Sequence, residues 1–320
     1  MRLFVTGGAG FIGSNYVHWV LANTDDTVTV YDALTYAGNL ANLRDLDDDP
    51  RCTFVKGDIT DRDAVIAAMD GYDSVVHFAA ESHVDRSIAS PDEFVRTNCD
   101  GTNVMCDVAR RVGVDRFLHI STDEVYGSIE TGSFTEADPL EPRSPYSASK
   151  AGSDLIALSY RSTYDLPVIV TRSSNNFGPY QFPEKVIPLF VTNLLDGLKV
   201  PLYGDGLNIR DWCFVDDNCR AVDLVLRSGT VGEIYNIGGG NEITNRELTD
   251  TVLAILGMDE SMIEYVEDRL GHDRRYSVDI AKVRNLGWAP QHDLQEALEA
   301  TVAWYRDHRE WWEPLQQRKG

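Results

Sequence analysis

Basic residues are scarce in this 320-residue chain: 29 lysines and arginines stand against 51 aspartates and glutamates, a formal charge of −22. So acidic a surface repels nucleic acid and anionic membranes, which excludes a polymer of phosphates as an expected partner. It could reflect a high-salt host, but an ordinary acidic enzyme is the simpler reading. Cysteine is also sparse. Cys52, Cys99, Cys106, Cys213 and Cys219 are odd in number and include no C-x-x-C. They read as reduced thiols in or near the core, which excludes a disulfide frame or a zinc site. His83 and the other histidines lack metal-ligand spacing, so no metal site is expected. No apolar run approaches the ~18 residues of a membrane span. The opening MRLFVTGGAG reaches its glycines too early for a secretory signal, so the expected location is the cytoplasm. Repeats and low-complexity segments are missing, and the acidic DLDDDP is read as a turn.

What is present is a 43% hydrophobic content, ample for a core, and a regular alternation. RLFVTG, TVTVYD, CTFVKGD, SVVHFAA, RFLHIST and PVIVTRSS read as strands, with SNYVHWVLAN, DRDAVIAAM and NVMCDVARRVG as helices between them. This predicts an α/β fold, a Rossmann-type doubly wound parallel sheet, with a smaller mixed α/β substrate-binding lobe. From about Asn175 the pattern changes: NNFGPYQFPEKVIP reads as an ordered loop entering the second lobe. The expected division gives 1–178, with about 212–236 and 291–310, to the nucleotide-binding domain, and about 179–211 and 237–290 to the second.

VTGGAGFIGSN supplies Gly8-x-Gly10-x-x-Gly13, and also Gly7-x-x-Gly10-x-x-Gly13, between the first strand and its helix. Glycine there permits a tight turn and lets backbone N–H groups approach a pyrophosphate at the helix N-terminus. Asp32 ends the second strand about 20 residues on, placed to bind both ribose hydroxyls. A carboxylate would repel a 2′-phosphate, so the expected cofactor is NAD rather than NADP. Asp58 and Ile59 end the third strand, where adenine contacts belong.

SPYSASKAGSD places Tyr146 and Lys150 four apart, on one face of a helix. An ammonium beside a phenol favours the phenolate, which can take a hydroxyl proton as hydride leaves for the nicotinamide. In HISTDEVYG, Thr122, Asp123 and Glu124 stand where a strand breaks off. As an isolated triplet they would be a helix cap or surface filler. At the carboxyl end of a strand in an α/β sheet they point to ligand contact. Two adjacent carboxyls there can also serve as an acid and a base.

With these motifs the chain resembles, over nearly its whole length, the extended short-chain dehydrogenase/reductases, whose Ser/Thr, Tyr, Lys set falls on Thr122, Tyr146 and Lys150. STDEVYG, AAESHVDRSI, SNNFGPYQFPEKVIP, IRDW and GHDRRY resemble the branch that dehydrates dTDP-glucose across C5 and C6. The resemblance implies a lyase with tightly bound NAD, giving a 4-keto-6-deoxy sugar for deoxysugar biosynthesis, with Glu124 as base and Asp123 as acid. It implies that Gly7, Gly10, Phe11, Ile12, Gly13, Asp32, Ala33, Leu34, Thr35, Asp58, Ile59, Ala79, Ala80, Thr97, Tyr146, Lys150 and Asn176 line the NAD site. It implies that Ser82, Thr122, Asn175, Lys185, Tyr203, Arg210, Asn245, Arg269 and His272 line the sugar-nucleotide site, where Lys185, Arg210 and Arg269 suit a diphosphate. Leu270 stands where the family commonly has proline. A homodimer is also implied. The alternatives are a UDP-sugar dehydratase or epimerase, and a catalytically silent NAD-binding regulator. The intact set Thr122, Asp123, Glu124, Tyr146 and Lys150 speaks against the last.

Overall fold

Strands buried on both faces of a parallel sheet need apolar side chains in both directions, and the six apolar runs form such a sheet, with Cys52–Lys56 only partly buried at its edge. The computed structural model describes residues 1–268 and 271–316. Its strands are β1 (Arg2–Thr6), β2 (Thr27–Asp32), β3 (Cys52–Lys56), β4 (Ser74–His77), β5 (Arg116–Thr122), β6 (Val168–Ser173), β7 (Asn175–Phe177), β8 (Val200–Tyr203), β9 (Ile209–Phe214), β10 (Ile234–Ile237), β11 (Glu242–Thr244) and β12 (Ile263–Val266). The main sheet is parallel throughout, in the order β10-β6-β5-β4-β1-β2-β3. The chain therefore reverses direction across the sheet between β1 and β4, the point at which doubly wound folds bind their ligands. One strand of this sheet, β10, lies outside the six runs read from sequence.

Helices cover both faces. Phe11–Asn23 and Val215–Ser228 pack on one, around Tyr16, Val17, Val222 and Leu226. Arg62–Met69, Thr102–Val112 and Pro145–Tyr164 pack on the other, around Val65, Met105, Val108 and Ala157. The start of Pro145–Tyr164 is tightly specified. Ser144 and Ser147 form a reciprocal capping box, and Pro145 takes the first helical position, where its missing N–H costs nothing.

A second core is built on β7, β9 and β11, with the pair β8 and β12 beside them. Its helices are Val186–Leu195, Asn245–Ile255, Leu294–Asp307 and Arg309–Gln316. The core divides the chain differently from the sequence reading. Leu298, Val302, Tyr305, Trp311 and Trp312 pack with Phe177, Phe190 and Trp212, so the segment about 291–310 joins the second lobe. Conversely, Ile280, Val283 and Trp288, assigned to the second lobe, pack on the main sheet. An amphipathic helix announces that it buries a face, but not against what. All five cysteines are free. No described helix is long and apolar enough to cross a membrane.

Candidate active site

One cleft opens at the carboxyl ends of β1, β4 and β5, and it gathers both sequence signals. Its lining includes Gly7, Gly10, Phe11, Ile12, Gly13, Asp32, Ala33, Thr35, Asp58, Ile59, Ala79, Ala80, Thr97 and Asn176 from the cofactor set. Thr122, Asp123, Glu124, Tyr146 and Lys150 line it too, with Ser82, Asn175 and Lys185.

The glycine turn fits a dinucleotide on geometry. Gly7 has φ +69°, and a Cβ there would lie 2.6 Å from the Ala79 nitrogen. A Cβ on Gly13 would lie 2.2 Å from the Gly7 carbonyl oxygen, so only glycine lets the helix start this close to the turn. Gly10 is the N-cap of Phe11–Asn23 and brings no capping side chain, which leaves the first helical N–H groups available to an anion. Asp32 is held rigidly beside them, Oδ2 accepting from the Ala9 N–H at 3.0 Å and Oδ1 from the Leu34 N–H at 2.8 Å. Burial raises its pKa, and those two bonds oppose the rise. Leu34 takes part only through this N–H: it is absent from the lining, has φ 55°, and packs its side chain on the core beneath. The protein is expected to bind NAD more tightly than NADP in calorimetry. Asp32→Ala should weaken NAD about 10- to 100-fold, the worth of a charged hydrogen bond. Equal wild-type affinity for both dinucleotides would refute this role.

The catalytic candidates come from three local structures. β5 ends at Thr122 and runs straight into a 3₁₀ turn, Asp123–Tyr126, closed by Gly127 at φ 84°. Thr122 occupies the N-cap position but makes no capping bond with its side chain; its hydroxyl points to Asp123 Oδ1 at 3.4 Å. The Thr122 side chain therefore does not cap the turn. Asp123 is 2% exposed, and its Oδ2 has no hydrogen-bond partner among the described residues. Burial pushes its carboxyl well up; the charges of Glu124 and Asp211 push the same way, and Arg210 opposes them. Glu124, the next residue, is only half-buried. Two adjacent carboxyls thus sit in unlike surroundings, which suits one as acid and the other as base.

Tyr146 and Lys150 are both buried on one face of Pro145–Tyr164. Burial pushes the phenol well up, as do Glu124 and Asp123, while a hydrogen bond with Thr122 pulls it down. Lys150 Nζ donates to the Ile120 carbonyl at 2.7 Å, and burial lowers its pKa to about 8. The ammonium is thus anchored on β5, and the protein by itself keeps Tyr146 a phenol.

The outer substrate set is dispersed. Lys185 Nζ donates to the Ser82 carbonyl at 2.7 Å, across the mouth of the cleft. Arg210 is buried behind the cleft, donating to the carbonyls of Ile209 and Asp273 and lying 4.1 Å over the Tyr276 ring. Tyr203, Asn245 and His272 do not line the cleft. Tyr203 ends β8 with the His272 ring edge-on at 6.3 Å, and the Asn245 N–H donates to the Asn208 carbonyl at the start of its helix. Arg269 and Leu270 lie outside the described residues. Sequence reasoning missed Tyr36, Glu81, Gln181, Glu184 and Ser174, all in the lining. Each is within a few residues of a motif residue, and that adjacency was the one signal available.

Among the described residues, Asp216, Asp217 and His292 are close enough to hold a metal. Asp217, however, already accepts from Arg220 at 2.7 Å and from the N–H groups of Gln291 and His292 at 3.0 Å. It pins that loop to the helix Val215–Ser228.

The GDP-mannose 4,6 dehydratase family model matches residues 4–301. A dTDP-glucose 4,6-dehydratase of Streptomyces antibioticus is 59% identical over 99% of this chain and 96% of its own. A low-salt glycan biosynthesis protein of Haloferax volcanii is 54% identical over 95% of this chain and 98% of its own. The crystal structure of a dTDP-glucose 4,6-dehydratase from Streptomyces venezuelae, with NAD and TYD bound, superposes with a TM-score of 0.97 at 58% identity, covering 98% of this chain and all of that one. With the family match spanning nearly the whole sequence and relatives more than half identical along it, the chain belongs to the GDP-mannose 4,6 dehydratase family.

Proposed function

We propose that this protein is a dTDP-glucose 4,6-dehydratase that uses tightly bound NAD, and that the site residues named above carry the roles assigned to them. The observation that carries the reading is the Asp123–Glu124 pair, set on the same cleft wall as Tyr146, Lys150 and the glycine turn. NAD, when held by the glycine turn and Asp32, would supply a hydride acceptor that later gives the hydride back, and its positive charge would favour the Tyr146 phenolate. Tyr146, bonded to Thr122 and ionised once the cofactor is bound, takes the proton of the C4 hydroxyl as that carbon becomes a ketone. The ketone acidifies the C5 proton, which Glu124 removes. Asp123 protonates the C6 hydroxyl, the C6–O bond breaks, and water leaves a C5=C6 double bond. Hydride returns to C6, C5 takes back a proton, and the sugar ends with no net redox change.

Substrate deuterated at C4 is therefore expected to give a 4-keto-6-deoxy product deuterated at C6, with no cofactor added beyond what is bound. Stoichiometric release of reduced cofactor with a merely oxidised sugar would instead mean a plain dehydrogenase. The same deuterium assay run on UDP-glucose measures strictness for the base, since thymine's methyl is the whole difference from uracil.

A homodimer in the cytoplasm is part of this reading. Leu155 and Val95, 60% and 53% exposed on neighbouring helices, form an apolar surface that suits a second copy.

A further inference from the structure

Behind Lys150 and the Asp123–Tyr126 turn runs a buried chain of polar groups that takes no part in the proton transfers. Asp154 follows Lys150 by one helical turn, on the same stripe as Tyr146. Arg172 Nε, on β6, donates to Asp154 Oδ2 at 2.9 Å, and His119 Nε2, on β5, stands 3.2 Å from Oδ1. Ser153 Oγ donates to the Lys150 carbonyl at 2.8 Å and lies 3.2 Å from the same histidine nitrogen. From Arg172 the chain continues. Nη1 donates to Tyr126 Oη at 2.8 Å, and that hydroxyl donates to Asn236 Oδ1 on β10 at 2.8 Å. Asp154, His119 and Asn236 are fully buried, and Arg172 and Tyr126 are nearly so. An ion pair at this depth is weak evidence for stability, because desolvation offsets its attraction. Its directional bonds, however, admit one arrangement of the elements they join.

We propose that Asp154, Arg172 and Tyr126 are positioning residues: they hold the turn bearing Asp123 and Glu124 at one spacing from Tyr146 and Lys150, so that a single sugar pose serves both oxidation and elimination. The inference rests on the dehydratase reading. Asp154 also acts through charge, favouring protonated Lys150 against burial. The other groups bearing on Lys150 are Cys99 from the turn Val95–Gly101, His119 from β5, His77 from β4, and Arg172, paired to Asp154 from β6. Burial lowers both histidines, so neither carries charge near neutral pH.

Tyr126→Phe keeps the ring stacked on Phe134 at 5.1 Å and removes the hydroxyl alone. The test runs dTDP-glucose in deuterated water. A borodeuteride quench labels accumulated 4-ketosugar at C4, and mass spectrometry reads product and C5 exchange. Water expulsion is expected to slow about 10- to 100-fold, as for a small misplacement of catalytic groups, with 4-ketosugar formation nearly unchanged. Asp154→Asn leaves Arg172 an acceptor but removes the charge. The limb of the oxidation profile set by Lys150 is expected to move down by about one pH unit. Both steps slowed alike, or neither, in Tyr126→Phe would overturn the brace, as would an unmoved profile in Asp154→Asn. Wild-type dehydration in the same assay tests the dehydratase reading separately; if it is present while the variants give those results, the brace fails and the function stands.

Discussion

Glu124→Gln is expected to halt the reaction after C4 oxidation. The substitution nearly keeps shape and removes the base, while Tyr146 and Lys150 remain in place on their helix. Borodeuteride should then trap a 4-ketosugar, and deuterium from solvent should no longer enter C5. Asp123→Asn should behave differently: C5 exchange persists, but the C6 hydroxyl is not expelled, because hydroxide leaves poorly without a proton. Each loss should cost about 10²–10⁴ in dehydration rate. The two roles follow from the surroundings of the two carboxyls. Asp123 is buried and its pKa is pushed well up, so it retains a proton. Because burial raises the Asp123 pKa, the proton that water expulsion needs should be kept to higher pH than an ordinary carboxyl would keep it. Near-normal dehydration by both variants would return Thr122–Glu124 to the role of a strand-end cap.

Gly13→Ala is expected to strip the protein of its cofactor. The added Cβ would sit 2.2 Å from the Gly7 carbonyl oxygen and 2.9 Å from the Gly8 Cα, both backbone, so the turn itself must open. Forcing a methyl into such a contact costs about 1–3 kcal/mol, or roughly 5- to 150-fold in affinity. NAD carried through purification should vanish, and the melting temperature should fall even in apo protein. Gly10→Ala is the control. Its Cβ meets only the Gly7 oxygen at 3.2 Å, so stability should be kept while the methyl crowds the pyrophosphate. Equal NAD content in Gly13→Ala and wild type would refute the glycine-turn assignment.

The main sheet was legible because strands such as β1 and β6 are buried on both faces and each carries a compact apolar run, Leu3–Phe4–Val5 and Val168–Ile169–Val170. β10 was not, because its run is short and Asn236 interrupts it. That asparagine is fully buried, bonded to Tyr126 and to the Phe134 carbonyl, a tertiary reason that no local pattern encodes. That the sequence motifs would line one cleft was legible for a related reason. Gly7–Gly13, Asp32, Thr122–Glu124 and Tyr146–Lys150 are short motifs, each fixed by one strand end or one helix turn. Leu34 shows where motif reasoning stops: its backbone serves the site while its side chain turns to the core. Tyr203, Asn245 and His272 depend on how β8 and the helix Asn245–Ile255 meet the main lobe, a long-range arrangement that spacing does not fix.

The second core also sets an order of assembly during synthesis. Trp311 and Trp312 come after β12 in the chain, yet Trp311 Nε1 donates to Asn42 Oδ1 at 2.8 Å and Tyr305 Oη donates to the Gln181 carbonyl on the cleft wall. A growing chain can form β1 to β6 and the glycine turn while still attached to the ribosome, since domains fold in the order they emerge. The wall at Gln181 and Phe182 has no such head start, and it is completed only after Tyr305 and Trp311 have emerged. Until then the apolar faces of Val186–Leu195 and Asn245–Ile255 lack their closing partners, a window in which a chaperone, or a neighbouring nascent chain, can reach them.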